Sequence, residues 1–73
     1  GYWIFYTEEG KLSSKGNFID NKEEGIWFFE AKTNVPKHVS HYVGGVLHGI
    51  TYIYDEQTGK IQKVFFNNGE PIF

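Results

Sequence analysis

The sequence contains no cysteine, no methionine and no arginine, and only two prolines among its 73 residues. Without cysteine there is neither a disulfide framework nor a thiolate metal site, and the redox compartment stays open. Without arginine the chain lacks the planar fork that grips phosphate or carboxylate groups with two hydrogen bonds. No segment approaches the ~20 consecutive apolar residues that cross a bilayer. We therefore expect a soluble protein, with the cytoplasm favoured over export.

The charge balance is close to neutral, and aromatic residues are abundant. Seven lysines stand against nine Asp and Glu, which gives a net charge of −2. No basic stripe is present to neutralise a row of phosphates, so nucleic acid is not expected as a partner. Seven Phe, five Tyr and two Trp favour a folded domain over disorder. A chain of this length buries only about 60% of its unfolded surface, so one small domain is the limit.

An internal repeat of about 24 residues runs through the whole chain, 1–73. Gly1, Gly25 and Gly49 each begin an aromatic-rich run, GYWIFYT, GIWFFEA and GITYIYD. The repeat divides one domain into three units, 1–24, 25–48 and 49–73. Because the chain starts without Met and ends inside an apolar phrase, we interpret it as a fragment of a longer protein.

Glycine and asparagine mark further positions with the same period. Both residue types adopt positive φ at low cost, which tight hairpin turns and bulges require. One mark, at residue 59, is displaced by a single inserted residue. We predict structural turns at Gly1, Gly10, Asn21, Gly25, Asn34, Gly45, Gly49, Gly59 and Gly69.

The segments between the turns are typical of strands. They are about six to eight residues long and rich in aromatic and β-branched side chains, too short for helices. We predict strands near 2–7, 11–19, 25–31, 36–43, 49–55 and 60–67. Short connections favour antiparallel neighbours. The predicted fold is all-β: tandem β-hairpin repeats that form a single elongated, curved antiparallel meander sheet of about six strands.

The aromatic residues are candidates for either a core or a binding face. In the first strand, alternation directs Tyr2, Ile4 and Tyr6 one way and Trp3 and Phe5 the other. Both faces therefore carry apolar groups, and we expect the sheet to curl or to be covered. Core packing is favoured because a small sheet needs most of its aromatic residues for stability. The less favoured interpretation is a ligand-stacking groove formed by Trp3, Tyr6, Trp27, Tyr52 and Tyr54. The full set assigned to core or binding face is Trp3, Tyr6, Phe18, Trp27, Tyr42, Tyr52, Tyr54 and Phe66.

The repeat unit matches a known pattern, G-x-W-x-x-Y-x-x-x-G followed by a return strand with an aromatic residue and a glycine. It resembles the MORN-repeat variant of the bacterial YwqK antitoxin-like family. The matching positions are Gly1, Trp3, Tyr6, Gly10, Leu12 and Phe18 in the first unit, Gly25, Trp27, Tyr42 and Gly45 in the second, and Gly49, Tyr54, Gly59 and Gly69 in the third. The departures are Asn21, Glu30, Asn34 and Thr51. The resemblance implies a curved sheet of stacked hairpins that serves as a scaffold or partner-binding surface, and it implies no reaction.

No constellation of residues points to catalysis, a metal or a cofactor. His38 and His41 lie three apart on a predicted strand, which directs them to opposite faces, and His48 is the one remaining imidazole. Zinc needs three or four converging ligands, so a shared metal is not expected. The carboxylates cluster at solvated turns, where burial does not tune a pair for acid–base work. We expect a protein that is not an enzyme.

The predicted function is a non-catalytic repeat scaffold for protein–protein interaction. The partner is an unidentified protein, and open sheet edges also favour homo-oligomers. One alternative, suggested by the family's naming, is an antitoxin or immunity-type protein that binds a toxin. A second is a peripheral membrane module, which would use Lys60 and Lys63 beside Phe65 and Phe66. A phosphatidylinositol phosphate kinase name would reflect the repeat only. The apolar turn at 43–48 is a candidate contact tip.

Overall fold

The computed structural model describes all 73 residues, and it contains eight β-strands and no helix. The strands are β1 Tyr2–Tyr6, β2 Leu12–Ile19, β3 Lys22–Phe29, β4 His38–Val43, β5 Val46–Leu47, β6 Gly49–Tyr54, β7 Ile61–Asn67 and β8 Glu70–Ile72. They form one antiparallel sheet in the order β1-β2-β3-β4-β6-β7-β8, and β5 pairs with β4. The predicted all-β class and the meander order are confirmed.

The sheet has two more strands than the sequence pattern predicts. β5 and β8 are short segments that follow the turns at Gly45 and Gly69 and pair back onto β4 and β7. The equivalent residues of the first repeat are joined to β3, which therefore begins at Lys22 and not at 25. After a two-residue turn the chain re-enters pairing at once, so residues that the pattern assigns to a connection belong to a strand. Between β3 and β4, Lys32 and Val35 close a separate turn, which shortens both strands.

Three hairpin turns recur with the repeat, one in each unit. In each, both central residues have positive φ, as a type I′ turn requires. The pairs are Asp20 and Asn21 (52° and 63°), Gly44 and Gly45 (56° and 84°), and Asn68 and Gly69 (49° and 87°). The marks at Gly10, Asn34 and Gly59 also have positive φ.

Gly25 and Gly49 have positive φ, 80° and 102°, but they lie in bulges and not in turns. Between the pairs Asn17↔Glu24 and Lys15↔Phe28, three residues of β3 lie opposite the single residue Gly16. The same irregularity recurs one repeat unit later, where β4 changes its partner from β5 to β6. Positive φ occurs in bulges as well as in turns, so a glycine at the repeat spacing does not by itself distinguish the two.

The molecule is a single layer of sheet, 38 Å by 37 Å and 15 Å thick. Since each added strand widens a sheet by about 4.8 Å, three repeats make it only as wide as it is long. Four residues alone are buried, Gly16, Trp27, Ser40 and Thr51. We call them the buried row, because they lie side by side across β2, β3, β4 and β6.

Candidate functional site

The two faces of the sheet differ in how well their apolar side chains are covered. Strand alternation and register place Trp3, Phe5, Phe18, Trp27 and Phe29 on one face, which we call the Trp27 face. The opposite face carries Tyr2, Ile4, Ile26, Phe28 and Tyr52 among others, and we call it the Ile26 face. The Trp27 face packs its side chains against one another, whereas the Ile26 face leaves them open.

On the Trp27 face, aromatic rings form a continuous chain. Phe18 meets the Trp27 ring edge-on at 4.9 Å between centroids, and Phe5 and Phe29 stack on it at 6.3 and 6.2 Å. At the far end, the His38 ring stacks on Phe29 at 4.6 Å. Offset and edge-on pairs of this kind add about 0.5–1.5 kcal/mol each beyond area burial. These contacts make the Trp27 face the principal core of a sheet that has no second layer.

The buried row alternates in size and chemistry. Gly16 lies so close under the indole of Trp27 that a Cβ at residue 16 would overlap the ring. One repeat later the same two positions hold Ser40 and Thr51, and the Thr51 hydroxyl donates a hydrogen bond to the Ser40 Oγ at 3.1 Å. The large ring of Trp27 packed on a glycine is thus replaced, one repeat later, by two medium-sized polar side chains. The sequence pattern offered a signal for this, because Gly16 and Ser40 occupy equivalent positions of successive units, and so do Trp27 and Thr51.

The Ile26 face is the largest open apolar surface of the molecule. Ile26 itself is 64% exposed, in contrast to the 3% of its neighbour Trp27. Twelve of the sixteen exposed large hydrophobic side chains lie on this face. They are Tyr2, Ile4, Tyr6, Ile19, Ile26, Val43, Val46, Tyr52, Tyr54, Ile61, Phe65 and Ile72. A depression of about 110 Å³ lies toward one end of strands β3, β4, β6 and β7, and it is lined by Phe28, Lys37, His38, Val39, Tyr52, Tyr54 and Ile61.

The aromatic residues singled out in the sequence divide between the two faces. Trp3, Phe18, Trp27, Tyr42 and Phe66 lie on the Trp27 face. Tyr6, Tyr52 and Tyr54 lie on the Ile26 face, since they alternate with residues of the first set. A single groove that combines Trp3 and Trp27 with these tyrosines is therefore wrong. Of the whole set, only Trp27 is buried.

The histidines are occupied by backbone contacts and do not meet. The His38 ring bonds the Pro36 carbonyl at 2.8 Å, and the His41 ring bonds the His48 carbonyl at 2.7 Å. No group of three or more His, Asp and Glu side chains lies together in metal-binding geometry. Burial raises the pKa of the Tyr42 phenol above its ordinary value, and the carboxylate of Glu23 raises it further.

The remaining candidates lie at the rims of the sheet. The apolar turn at 43–48 is the β4–β5 hairpin, and its paired residues Val43 and Val46 are exposed on the Ile26 face. Among the lysines and phenylalanines of the suggested membrane-binding segment, Phe65 is on the Ile26 face with Lys63, but Phe66 is on the Trp27 face. The two phenylalanines thus do not form one surface. The chain has no helix long and apolar enough to cross a membrane.

Beside Trp3 there is a second depression, of about 280 Å³, lined by Trp3, Phe5, Phe18 and Asn21. It lies on the Trp27 face at the open edge of the sheet, next to β1. A third depression, of about 460 Å³, lies between the 31–36 connection and the 53–57 turn, and most of the residues that line it are polar or charged.

Comparisons with protein-family models, with curated proteins and with solved structures each gave no match to this chain.

Proposed function

We propose that this chain is a non-catalytic protein-binding module, a scaffold of MORN-type hairpin repeats that presents the Ile26 face to a partner protein. The observation that carries the proposal is the contiguous set of exposed isoleucine, valine, tyrosine and phenylalanine side chains on that face. Large exposed apolar patches on small proteins mark interaction sites. A repeat sheet is a suitable support, because each unit adds surface without a change of fold.

The residue types on the Ile26 face favour a protein as the occupant. Tyr2, Tyr6, Tyr52 and Tyr54 give it four exposed phenol rings, and tyrosine is enriched in protein interfaces because one end is apolar and the other forms hydrogen bonds. The depression bounded by Phe28, Val39 and Tyr52 is the size of one apolar side chain from the partner. It is the natural position for an anchor residue, since interface energy concentrates where a side chain fills a desolvated pocket.

Two lysines define the polar chemistry of this face. The Lys15 ammonium lies 5.6 Å from the centre of the Phe28 ring, and Lys63 lies 5.9 Å from that of Tyr52. Both cations therefore stand over the apolar surface, where the rings hold them in place. We infer a partner with an apolar surface that carries carboxylates spaced to meet the ammonium groups of Lys15 and Lys63. The sheet, at 38 Å by 37 Å, is large enough for a standard interface of about 800 Å² per partner.

The test compares the wild-type chain with Ile26→Lys as baits in an extract of the source cells, followed by purification of any retained protein. Ile26 is exposed, so the substitution should leave the circular dichroism melt unchanged. Glu9→Lys introduces lysine at an exposed turn outside this face, with a larger change of net charge, and is the control for added positive charge. We expect a partner retained by the wild-type and Glu9→Lys baits and released by Ile26→Lys. Its purified form should bind the Ile26→Lys chain about 10-fold or more weakly, as for an interface hot spot.

Equal retention by all three baits, or equal affinity of the purified protein for all three, would reject the Ile26 face as the binding surface. Sedimentation velocity of the free chain identifies the case in which the partner is a second copy. In that case the wild-type chain associates and Ile26→Lys stays monomeric.

A further inference from the structure

A straight row of residues with a lysine at each end crosses the Ile26 face. Successive backbone pairs join its members across β2, β3, β4, β6 and β7, and we call it the lysine row: Lys15, Phe28, Val39, Tyr52 and Lys63. The two lysines are four strand spacings apart, about 19 Å. Their ammonium groups lie over the Phe28 and Tyr52 rings. The row is therefore apolar in the middle and positively charged at both ends.

Two carboxylates of the same face repeat this spacing. Glu24 is on β3 and Glu70 is on β8, and these strands are also four spacings apart in the sheet. Glu24 is on the Ile26 face because it pairs with Asn17, two residues from Lys15 along β2. Glu70 is there because it lies two residues before Ile72 along β8. The two glutamates therefore match the two lysines in spacing and have the opposite charge.

A third row separates the lysines from the glutamates. We call it the Ile26 row, and its members are Ile26, His41, Ile50, Phe65 and Ile72. Along the strands, the lysine row lies two residues from it on one side, and the two glutamates lie two residues from it on the other. The positive and negative positions of the face are thus equally far from one apolar line.

We propose that a second copy of this chain covers the Ile26 face, related to the first by a twofold axis along the Ile26 row. The inference rests on the proposed function, in which this face binds a protein. A rotation about the axis sets each strand antiparallel over its own copy and exchanges the two sides of the row. Glu24 of the second copy then lies over Phe28 of the first, beside the Lys15 ammonium. Glu70 of the second copy lies beside Lys63 in the same way.

The symmetry doubles these contacts, because residues i and j of an isologous interface meet twice. Four ion pairs therefore surround one apolar interface. Packed sheets lie about 10 Å apart, a gap that a lysine and a glutamate side chain span together. Their length also accommodates the angle of about 30° between packed sheets.

The remaining charges of β3 fit the same axis. Lys22 and Glu30 lie four residues before and four residues after Ile26. The rotation therefore brings Lys22 of one copy to Glu30 of the other, where Glu30 already contacts Lys37 of its own chain at 3.4 Å. A face that binds an unrelated protein has no need of charges that are complementary to themselves, so this pattern favours a second copy as the occupant.

The test exchanges the charges in two double variants. Lys15→Glu with Lys63→Glu, the acidic chain, would set only carboxylates against one another. Glu24→Lys with Glu70→Lys, the basic chain, would set only ammonium groups against one another. By sedimentation velocity over a dilution series, the wild-type chain should dimerise, and each variant alone should dimerise at least about 10-fold more weakly. An equimolar mixture of the two should form mixed dimers, because all four ion pairs are restored.

Two controls separate these pairs from added charge and from misfolding. Glu8→Lys with Glu9→Lys makes the same change as the basic chain at an exposed turn and should dimerise like the wild type. Mixed with the acidic chain it gives the same total charge without the restored pairs, so it should form fewer mixed dimers. Thermal melts accompany every variant, because the Glu24 carboxylate also accepts a hydrogen bond from the Gly44 N–H at 2.8 Å.

Glu70 accepts no such bond, so Glu70→Lys and Lys63→Glu alone carry the comparison where Glu24→Lys lowers the melting temperature. A wild-type chain that stays monomeric at its highest soluble concentration would overturn the inference, and the extract experiment would still test the proposed function. Dimers that persist in both charge variants but are lost in Ile26→Lys would overturn this arrangement and keep the face as a binding surface. Dimers that survive Ile26→Lys, or a mixture that does not associate, would also overturn it.

Discussion

Gly16 and Trp27 form a close contact between β2 and β3, in which the indole ring lies where a Cβ of residue 16 would be. The contact depends on the bulge at Gly25, which sets three residues of β3 against Gly16 alone and so brings Trp27 over it. Trp27 is 3% exposed, although the sheet has only one layer. The aromatic rings around this pair, and not a second layer, supply the core.

Gly16→Ala is expected to destabilise the protein because the added methyl group overlaps the Trp27 ring. Overpacking of this kind costs about 1–3 kcal/mol. Gly16 does not have positive φ, so backbone strain does not contribute. The measurement is urea unfolding followed by circular dichroism. Gly1→Ala is the matched control, since its Cβ would meet nothing within 4 Å. Gly16→Ala should be nearly neutral in a Trp27→Thr background, and an equal cost in both backgrounds would contradict the contact.

Trp27→Ala is expected to remove about 3–5 kcal/mol of unfolding free energy, the range for a buried tryptophan. Small domains have only about 5–15 kcal/mol in total, so cooperative unfolding at room temperature should be weakened or lost. Trp3→Ala makes the same change at a side chain that is 56% exposed, and it should cost much less. The comparison is made by thermal melts. Equal losses in the two variants would show that the single-layer core extends to β1.

The repeat made the fold predictable from the sequence. The prediction was limited because a repeat period shows only where similar residues recur. Glycine at the repeat spacing indicates where φ is positive, but Gly25 is a bulge and Gly45 is a turn. Periodicity cannot distinguish them, because both need the same backbone conformation. For the same reason β5 and β8 were absent from the predicted strands. Alternation correctly separated Trp3 from Tyr2, but it does not say which face packs more tightly. That depends on contacts such as Gly16 with Trp27, which join different strands.

The hydrogen bond between Thr51 and Ser40 is expected to behave as a coupled pair. Both residues are buried, at 6% and 3% exposure, so removal of either hydroxyl leaves the other without a partner. Thr51→Val or Ser40→Ala alone should each cost about 1–3 kcal/mol. The double variant should cost less than the sum, because no unpaired polar group remains. Urea unfolding of the four proteins gives the coupling energy, and strict additivity would contradict the predicted coupling.

Tyr42 is expected to make stability fall at high pH. Burial raises the pKa of its phenol in the folded state, and Glu23 raises it further. Above the ordinary value of about 10, the unfolded chain loses this proton while the folded chain keeps it. The unfolded state then binds fewer protons, so the free energy of unfolding decreases as the pH rises toward the folded pKa, and the contribution is fully present below pH 10. Tyr42→Phe should show a shallower decline in melts between pH 9 and 11. An identical decline would assign the effect to other groups.

The first hairpin turn is expected to be the least favourable of the three. It places Asp20 and Asn21 at φ values of 52° and 63°, whereas the second turn has two glycines and the third has Asn68 and Gly69. Asn21→Gly removes the steric cost of the left-handed conformation and should raise the unfolding free energy by about 0.5 kcal/mol. Asn21→Val should lower it by about 1–2 kcal/mol, because a β-branched side chain fits that conformation poorly.

Asn67→Gly is the matched control for this turn, because Asn67 lies in β7 and does not have positive φ. There the same replacement only adds backbone freedom to the unfolded chain, so it should lower stability by about 0.5–1 kcal/mol. Opposite signs at positions 21 and 67, measured by thermal melts under one buffer condition, would trace the effect to turn geometry. A loss of stability at both positions would mean that the asparagine side chain at 21 makes a favourable contribution that outweighs its backbone strain.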